Sequence, residues 1–348
     1  MRWDGLRLTE DGAPTTAALP LLPRGAVTRT FNTPEFRGIT VHEVTARSAL
    51  NKVPAASRVP FRWTVNPYRG CTIACVFCFA RKTHEYLDLD AGHDFDSQIV
   101  VKTNVGEVLR SELGRASWRH EHVAMGTNVD CYQRLEGRYR LMRGIIGALS
   151  DAANPFSILT KSALILRDVD LLVAAARVTD VSAAVSVGSV DRDIRGAVEP
   201  GAPPPRRRLE VVRELTDAGI PCGVLMAPVL PFLTDSDAQL EATVLAIAAA
   251  GAAYVSPIVL HLRPGAREWW QAWMRRERPD LLPRYAELYG SRPYAPQAYQ
   301  RAITEKVRTM AADHGVGRSP TFRGSPRRDT TCRTTTPATD AAGQLSLL

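Results

Sequence analysis

The stretch that decides the reading is residues 66–86, NPYRGCTIACVFCFARKTHEY, in which Cys71, Cys75 and Cys78 fall within eight residues. Thiols so close in sequence hold something in common. A disulfide framework does not suit a 348-residue chain with six cysteines, because such frameworks serve small secreted domains. A structural zinc site takes four Cys or His ligands, usually as two paired clusters. Here a second CxxC is missing and His84 is the nearest histidine. A ferredoxin-like cluster needs a fourth thiolate at short spacing, whereas Cys131, Cys222 and Cys332 are scattered. The remaining reading is a [4Fe–4S] cluster with three protein ligands and one iron left open to a small molecule. An open coordination position is what makes a metal site catalytic.

Outward from this loop, β-like and helical patterns alternate. FRWTVNPY (61–68) runs directly into the cysteines. HEHVAMGT (120–127) precedes helical sequence over 131–150, and NPFSILTKS (154–162) precedes a helix over 168–176. VSAAVSVG (181–188) precedes RRRLEVVRELTDAG (206–219), and IPCGVLMAPVLP (220–231) precedes an alanine-rich helix over 235–250. AAYVSPIVLHL (252–262) is the sixth strand, and Gly219 and Gly251 stand where helices should stop. Short apolar strands alternating with helices imply an α/β fold with a parallel sheet. Six units suggest a partial (β/α)6 TIM-type barrel; a doubly wound open sheet gives the same pattern. In either case functional loops lie at the carboxyl ends of the strands, where the cysteine loop also falls.

Residues 1–30 are rich in Pro, Ala, Gly and Thr, and 318–348 repeat that character, so both read as flexible extensions of a domain over 31–317 with its core at about 60–265. No apolar run approaches the ~20 residues that span a bilayer, and MRWDGLRLTEDG lacks the apolar stretch of a secretory signal. The expected compartment is the cytoplasm, where thiols stay reduced. A net charge of +8 favours acidic partners. Lysine occurs at only five positions, 52, 82, 102, 161 and 306.

The C-x3-C-x2-C motif with an aromatic, Phe77, just before its last cysteine resembles the radical S-adenosylmethionine (SAM) superfamily. The longer string NPYRGC…CxFCFARKTHEY is similar to the spore photoproduct lyase-like branch, over roughly residues 60–265. The resemblance implies a [4Fe–4S] cluster on Cys71, Cys75 and Cys78, with SAM chelating the open iron. It also implies reductive cleavage of SAM to a 5′-deoxyadenosyl radical, which takes a hydrogen atom from the substrate. A cluster that reduces a sulfonium works on the order of −400 mV or lower, so an external one-electron donor of flavodoxin or ferredoxin type is implied.

The resemblance further assigns SAM contacts. Lys161, at the end of the third strand, matches a lysine that meets the SAM carboxylate; a snorkelling surface lysine is the plain alternative. MGTNVDCYQ (125–133) is similar to a GTxTDxYQ-like string, which selects Asn128, although Asn and Asp there also suit a turn. Ser186 matches a hydroxyl offered to SAM, and Phe77 an aromatic that packs on adenine. In spore photoproduct lyase a thiol ends the second strand, and the matching position here is Gly126. Cys131 comes five residues later and is a candidate thiol or a buried, inert cysteine.

Two features point toward nucleic acid. PGAPPPRRRLEVVREL (200–215) sets Arg206, Arg207 and Arg208 at a helix N-terminus, against the macrodipole, where phosphate or pairing to Glu210 would explain them. The last five residues, Gln344–Leu348 (QLSLL), resemble clamp-binding peptides of bacterial DNA replication and repair proteins, with Leu in place of the usual Phe. The competing reading is a non-catalytic metal-binding protein, zinc or Fe–S, associated with DNA.

Overall fold

The computed structural model describes residues 22, 25–57 and 59–317. Most of 1–30, and all of 318–348 with Cys332 and Gln344–Leu348, lie outside the described residues. Two sheets organise the chain. Counting strands in chain order, the smaller sheet contains β1 (Val27–Arg29), β2 (Thr40–Val44), β5 (Tyr68–Arg69) and β6 (Gln98–Lys102). The larger contains β3 (Leu50–Lys52), β4 (Trp63–Val65), β7 (Val123–Met125), β8 (Phe156–Thr160), β9 (Val181–Ser186), β10 (Cys222–Val229) and β11 (Val255–Val259).

In the larger sheet β4, β7, β8, β9, β10 and β11 lie side by side in chain order, every pair parallel. They are the six strands expected from the sequence. β3 adds an antiparallel edge beside β4, so the sheet is a partial barrel with two free edges. β11 carries Pro257, which has no N–H for a ladder, and it occupies an edge as such a strand must. The core lies between this sheet and the helices that follow its strands, with Val123, Met125, Phe156, Val224 and Met226 fully buried.

The helix stops are local chemistry. After the helix Pro205–Asp217, Gly219 at φ +83° lets its own N–H reach Thr216 O (2.9 Å) and that of Ile220 reach Leu215 O (2.9 Å). Gly251, at φ +73°, repeats the arrangement after Asp237–Ala249. This pair of bonds satisfies helix-end carbonyls with a left-handed residue that glycine adopts without strain.

Three sequence expectations need correction. The strand read over 61–68 is divided: β4 belongs to the barrel and β5 to the smaller sheet, because Pro67 cannot donate to a ladder and the chain changes sheets there. Val27–Arg29, within the expected flexible lead, is a strand, paired antiparallel to β2. The helix expected over 131–150 forms only as Glu136–Tyr139 and Leu141–Asp151, separated by Arg140 at φ 52°. The break has a cause. The buried Glu136 carboxylate accepts from the N–H groups of Leu141 (3.0 Å) and Met142 (3.1 Å), capping the second helix.

Glu136 also joins the two sheets' surroundings, accepting from Tyr68 Oη of β5 (2.5 Å) and from Arg167 Nη2 (2.7 Å). Glu136→Ala would leave a tyrosine hydroxyl, a guanidinium and two backbone donors without this partner. The expected loss is about 3–5 kcal/mol of folding stability, read as a lowered midpoint in urea unfolding. A change under about 1 kcal/mol would mean that water replaces the carboxylate without cost.

Candidate active site

The cysteine loop leaves β5 at Gly70, whose φ of +81° and close neighbours (Ile99 Cδ1 would lie 2.8 Å from an added Cβ) leave no place for a side chain. Its backbone is tied on several sides. Cys71 N–H donates to Phe95 O (2.9 Å), Val76 N–H to Val198 O (3.0 Å), and Ile73 O accepts from Gly201 N–H (3.0 Å). Gln133 accepts from Thr72 N–H (2.9 Å) and donates to Gly70 O (3.0 Å).

Arg81 is the central tie. Fully buried, it gives Nε and Nη2 to Cys75 O (3.1 and 2.8 Å), Nη1 to Gly92 O (2.8 Å), and Nη2 to both carboxylate oxygens of Asp96 (2.9 Å each). His84, the histidine nearest the motif, is turned elsewhere: its Nε2 donates to Gln98 O (2.9 Å), and burial pushes its pKa down to about 4.

Cys71 and Cys75 are buried and Cys78 is half-buried, and all three are free thiols. Burial pushes each thiol upward; at Cys75 and Cys78 the Lys161 ammonium acts in the opposite direction. Among the described residues no three His, Cys, Asp or Glu side chains converge on one point able to hold a single ion. A mononuclear zinc centre needs such convergence, whereas a cubane takes each thiolate on a separate iron. Three reduced thiols on one braced loop, beside a cation, are a donor set that fits the cluster.

The other predicted residues gather at the ends of β8 and β9. Lys161 Nζ donates to Ser186 Oγ (2.6 Å) and pairs with Glu199 Oε1 (3.0 Å), and it stands 5.9 Å from the centre of the Phe77 ring. Ser186 Oγ passes its own hydrogen to Ala227 O (2.9 Å). The structure thus brings Phe77, Lys161 and Ser186 together. It adds Glu199, whose other oxygen is bonded by Arg208. Burial alone would raise the Glu199 carboxyl, but Lys161 and Arg208 outweigh it and hold the pKa at about 2. A cavity beside this group is lined by Phe77, Glu199, Gly188, Pro228 and Arg195, among others.

Asn128 is half-buried, and its side-chain amide makes no hydrogen bond within the described chain. Its neighbour Asp130 holds the strand end instead, accepting from Thr160 Oγ1 (2.7 Å) and from Lys161 N–H (2.7 Å). Cys131 is fully buried in the core, with its thiol pushed far up by burial. Gly126 has φ +76°, and a Cβ there would sit 1.7 Å from Leu159 O. Of the three arginines, Arg206 and Arg207 pair with Glu210 (3.2 and 3.0 Å), but Arg208 is not a surface group. It is buried, bonded to Glu199, Ser186 O (2.9 Å) and Pro203 O (2.8 Å), because the helix turns it inward beneath β9.

Glu199 and Arg81 were missed by sequence reasoning, and Arg208 was read as part of the surface group. The available signal for Glu199 was an acid directly before Pro200 in the segment after the fourth strand, at the functional end of the sheet.

The Radical SAM superfamily model matches residues 65–243, just over half of the chain. An uncharacterised protein of Mycobacterium tuberculosis is 50% identical over 315 residues, covering 90% of this chain and 93% of its own. An uncharacterised protein of Methanocaldococcus jannaschii is 26% identical over 199 residues, 57% of this chain and 70% of its own. Among solved structures, spore photoproduct lyase complexed with dinucleoside spore photoproduct aligns with a TM-score of 0.60 at 15% identity, over 79% of each chain. A mutant of that lyase with bound AdoMet and the same dinucleoside gives 0.59 at 14%, again over 79% of each chain. With the family model matched across the cysteine loop and the strands that carry Lys161 and Ser186, the chain belongs to the radical SAM superfamily, whose enzymes use a [4Fe–4S] cluster and S-adenosylmethionine and draw an electron from an outside donor.

Proposed function

We propose that this chain is a hydrogen-abstracting radical SAM enzyme acting on nucleic acid, with the cluster on Cys71, Cys75 and Cys78. One observation carries the reading: the Lys161–Ser186–Glu199 group and the three thiols share one end of the barrel. Bound there, the cluster supplies the electron that cleaves SAM and so yields the 5′-deoxyadenosyl radical.

The protein's part is placement. The three thiols give up their protons as they take the metal, and the ties to Arg81 and Gln133 keep the loop from rearranging. Lys161 and Glu199 present a cation and an anion side by side, the charge pattern that complements an α-amino acid. Lys161 balances the SAM carboxylate, Ser186 holds the ammonium in place, and Arg208 fixes Glu199. Phe77 offers a ring face to the cofactor, and Asn128 contributes an uncommitted amide at the end of β7. The five cysteines among the described residues are free thiols, which suits a reducing compartment, the cytoplasm, with a flavodoxin or ferredoxin as donor. Among the described residues no helix is long and apolar enough to cross a membrane.

The nucleic-acid part is supported by the net charge of +8 and by the dinucleoside bound in the neighbouring lyase structure. Gln344–Leu348 as a clamp-binding peptide suits the same setting.

Anaerobic reconstitution tests the assignments one at a time. Cys71→Ala, Cys75→Ala or Cys78→Ala should each abolish the brown chromophore and the release of 5′-deoxyadenosine, while Cys131→Ala retains both. A chromophore that survives any of the first three would remove that cysteine from the ligand set. Lys161→Met should raise KM for SAM about tenfold or more, ~1.4 kcal/mol of binding, with iron content unchanged; an unaltered KM would leave Lys161 a purely structural ion pair. Finally, single-stranded or damaged DNA should increase SAM cleavage and yield a modified nucleotide. Cleavage indifferent to every nucleic acid tried would end that part of the proposal and leave the radical chemistry standing.

A further inference from the structure

A second cavity opens beside the first, and the roles assigned above do not use it. Its lining is Arg192, Arg195, Pro204, Arg206, Arg207 and Glu210, four guanidinium groups against one carboxylate. They come from the helix Arg192–Val198 and the first turns of Pro205–Asp217, at the carboxyl end of β9.

The internal pairing is incomplete. Arg206 and Arg207 share Glu210, and Arg207 also reaches Glu214 (3.1 Å); such exposed pairs hold their partners weakly. Arg192 has no ion-pair partner among the described residues. Arg195 is anchored by Nη1 to Ala202 O (2.8 Å), meets no carboxylate, and keeps a buried Nε without an acceptor. The helix Pro205–Asp217 has no acidic residue in its first turn and no side-chain cap, so its free N–H groups add to the positive field. Arg195 also lines the cavity that holds Phe77 and Glu199, so the two spaces are neighbours across one side chain.

We propose that this cavity is a phosphate site that anchors the backbone of a nucleic-acid strand next to the reacting nucleotide. The inference rests on the nucleic-acid reading above and narrows it. Guanidinium forks match phosphate oxygens in pairs, and phosphate contacts fix the register of a strand while bases are read elsewhere. A rim position joined to the reaction cavity is where such a register contact has use. The two arginines that the lining acid holds least, Arg192 and Arg195, are free to accept the anion, and Arg206 and Arg207 can exchange Glu210 for it.

The test is fluorescence anisotropy of a labelled single-stranded DNA oligonucleotide with the full, reconstituted protein over a range of salt. Arg192→Ala combined with Arg206→Ala changes two surface side chains. It should weaken binding at least tenfold and make the slope of log K against log salt shallower by about 1.4, at ~0.7 for each phosphate that is no longer neutralised. Inorganic phosphate should displace the oligonucleotide more than chloride does at equal ionic strength. An unchanged slope and affinity, or competition by phosphate no greater than by chloride, would overturn the site. SAM cleavage and binding by the unaltered protein are measured in parallel: oligonucleotide binding that the double variant leaves unchanged fails the pocket alone, no binding by the unaltered protein fails the nucleic-acid reading with it, and binding without cleavage fails the radical reading alone.

Discussion

One buried guanidinium sets the shape on which the chemistry depends. A charge without water must be fully bonded or it destabilises the fold, and Arg81 meets that condition by binding Cys75 O, Gly92 O and the Asp96 carboxylate at once. Two aromatic faces close over it, Phe95 at 5.2 Å and Trp269 at 4.9 Å. Burial pushes the Asp96 carboxyl up to about 6 even against the pull of Arg81. The cysteine loop is thereby fixed to the short helix His93–Ser97 and to the helix that carries Trp269, and is not left to close around whatever it binds. A preshaped loop matters for a cluster with one open iron, because flexibility would let a fourth protein donor swing in.

The second constraint is charge balance at the ends of β8 and β9. Glu199 lies between Lys161 and Arg208, so the buried triad carries one net positive charge. Lys161 is the member that favours the thiolates of Cys75 and Cys78, against the burial that raises both thiols. Asp130 governs the same feature from behind: by accepting Thr160 Oγ1 and Lys161 N–H it fixes the strand end from which the ammonium extends. The polar network therefore runs from β7 to the helix Pro205–Asp217, with Lys161, Glu199 and Arg208 ion-paired and Asp130 held by hydrogen bonds.

Much of this was legible in the sequence, for reasons that differ by residue. The six parallel strands were visible because both faces are covered, which leaves short continuous apolar runs, and Gly219 and Gly251 marked helix ends through purely local geometry. Lys161 and Ser186 were selected by the resemblance, at strand ends where the topology also puts functional groups. The smaller sheet was not legible, since its strands are two to five residues long and pair across large sequence separations. Arg208 misled because a run of three arginines reads as one surface, whereas helical rotation sends the third inward to a glutamate nine residues earlier. In MGTNVDCYQ, Asn128 drew attention, yet Asp130 and Gln133 make the bonds that brace the site. Nothing in composition distinguishes a bracing amide from a contacting one.

The end of β7 also bears on the proposed hydrogen abstraction, through the groups that stand where the hydrogen atom would be returned. The resemblance to spore photoproduct lyase places a thiol at the position of Gly126. In this fold Leu159 O occupies the space that any Cβ at Gly126 would need, so the backbone itself has closed the place where that sulfur would stand. Cys131 does not stand in that place: its side chain is fully buried in the core, five residues further along the chain. A return of hydrogen from a β7 thiol is therefore incompatible with the packing of β7 against β8, while the cysteine loop and Lys161 are compatible with radical generation. The two halves of the chemistry come apart here. The cysteine loop and Lys161 bear on the first half of the proposed function, and Gly126 bears on the second, where this chain departs from the resemblance.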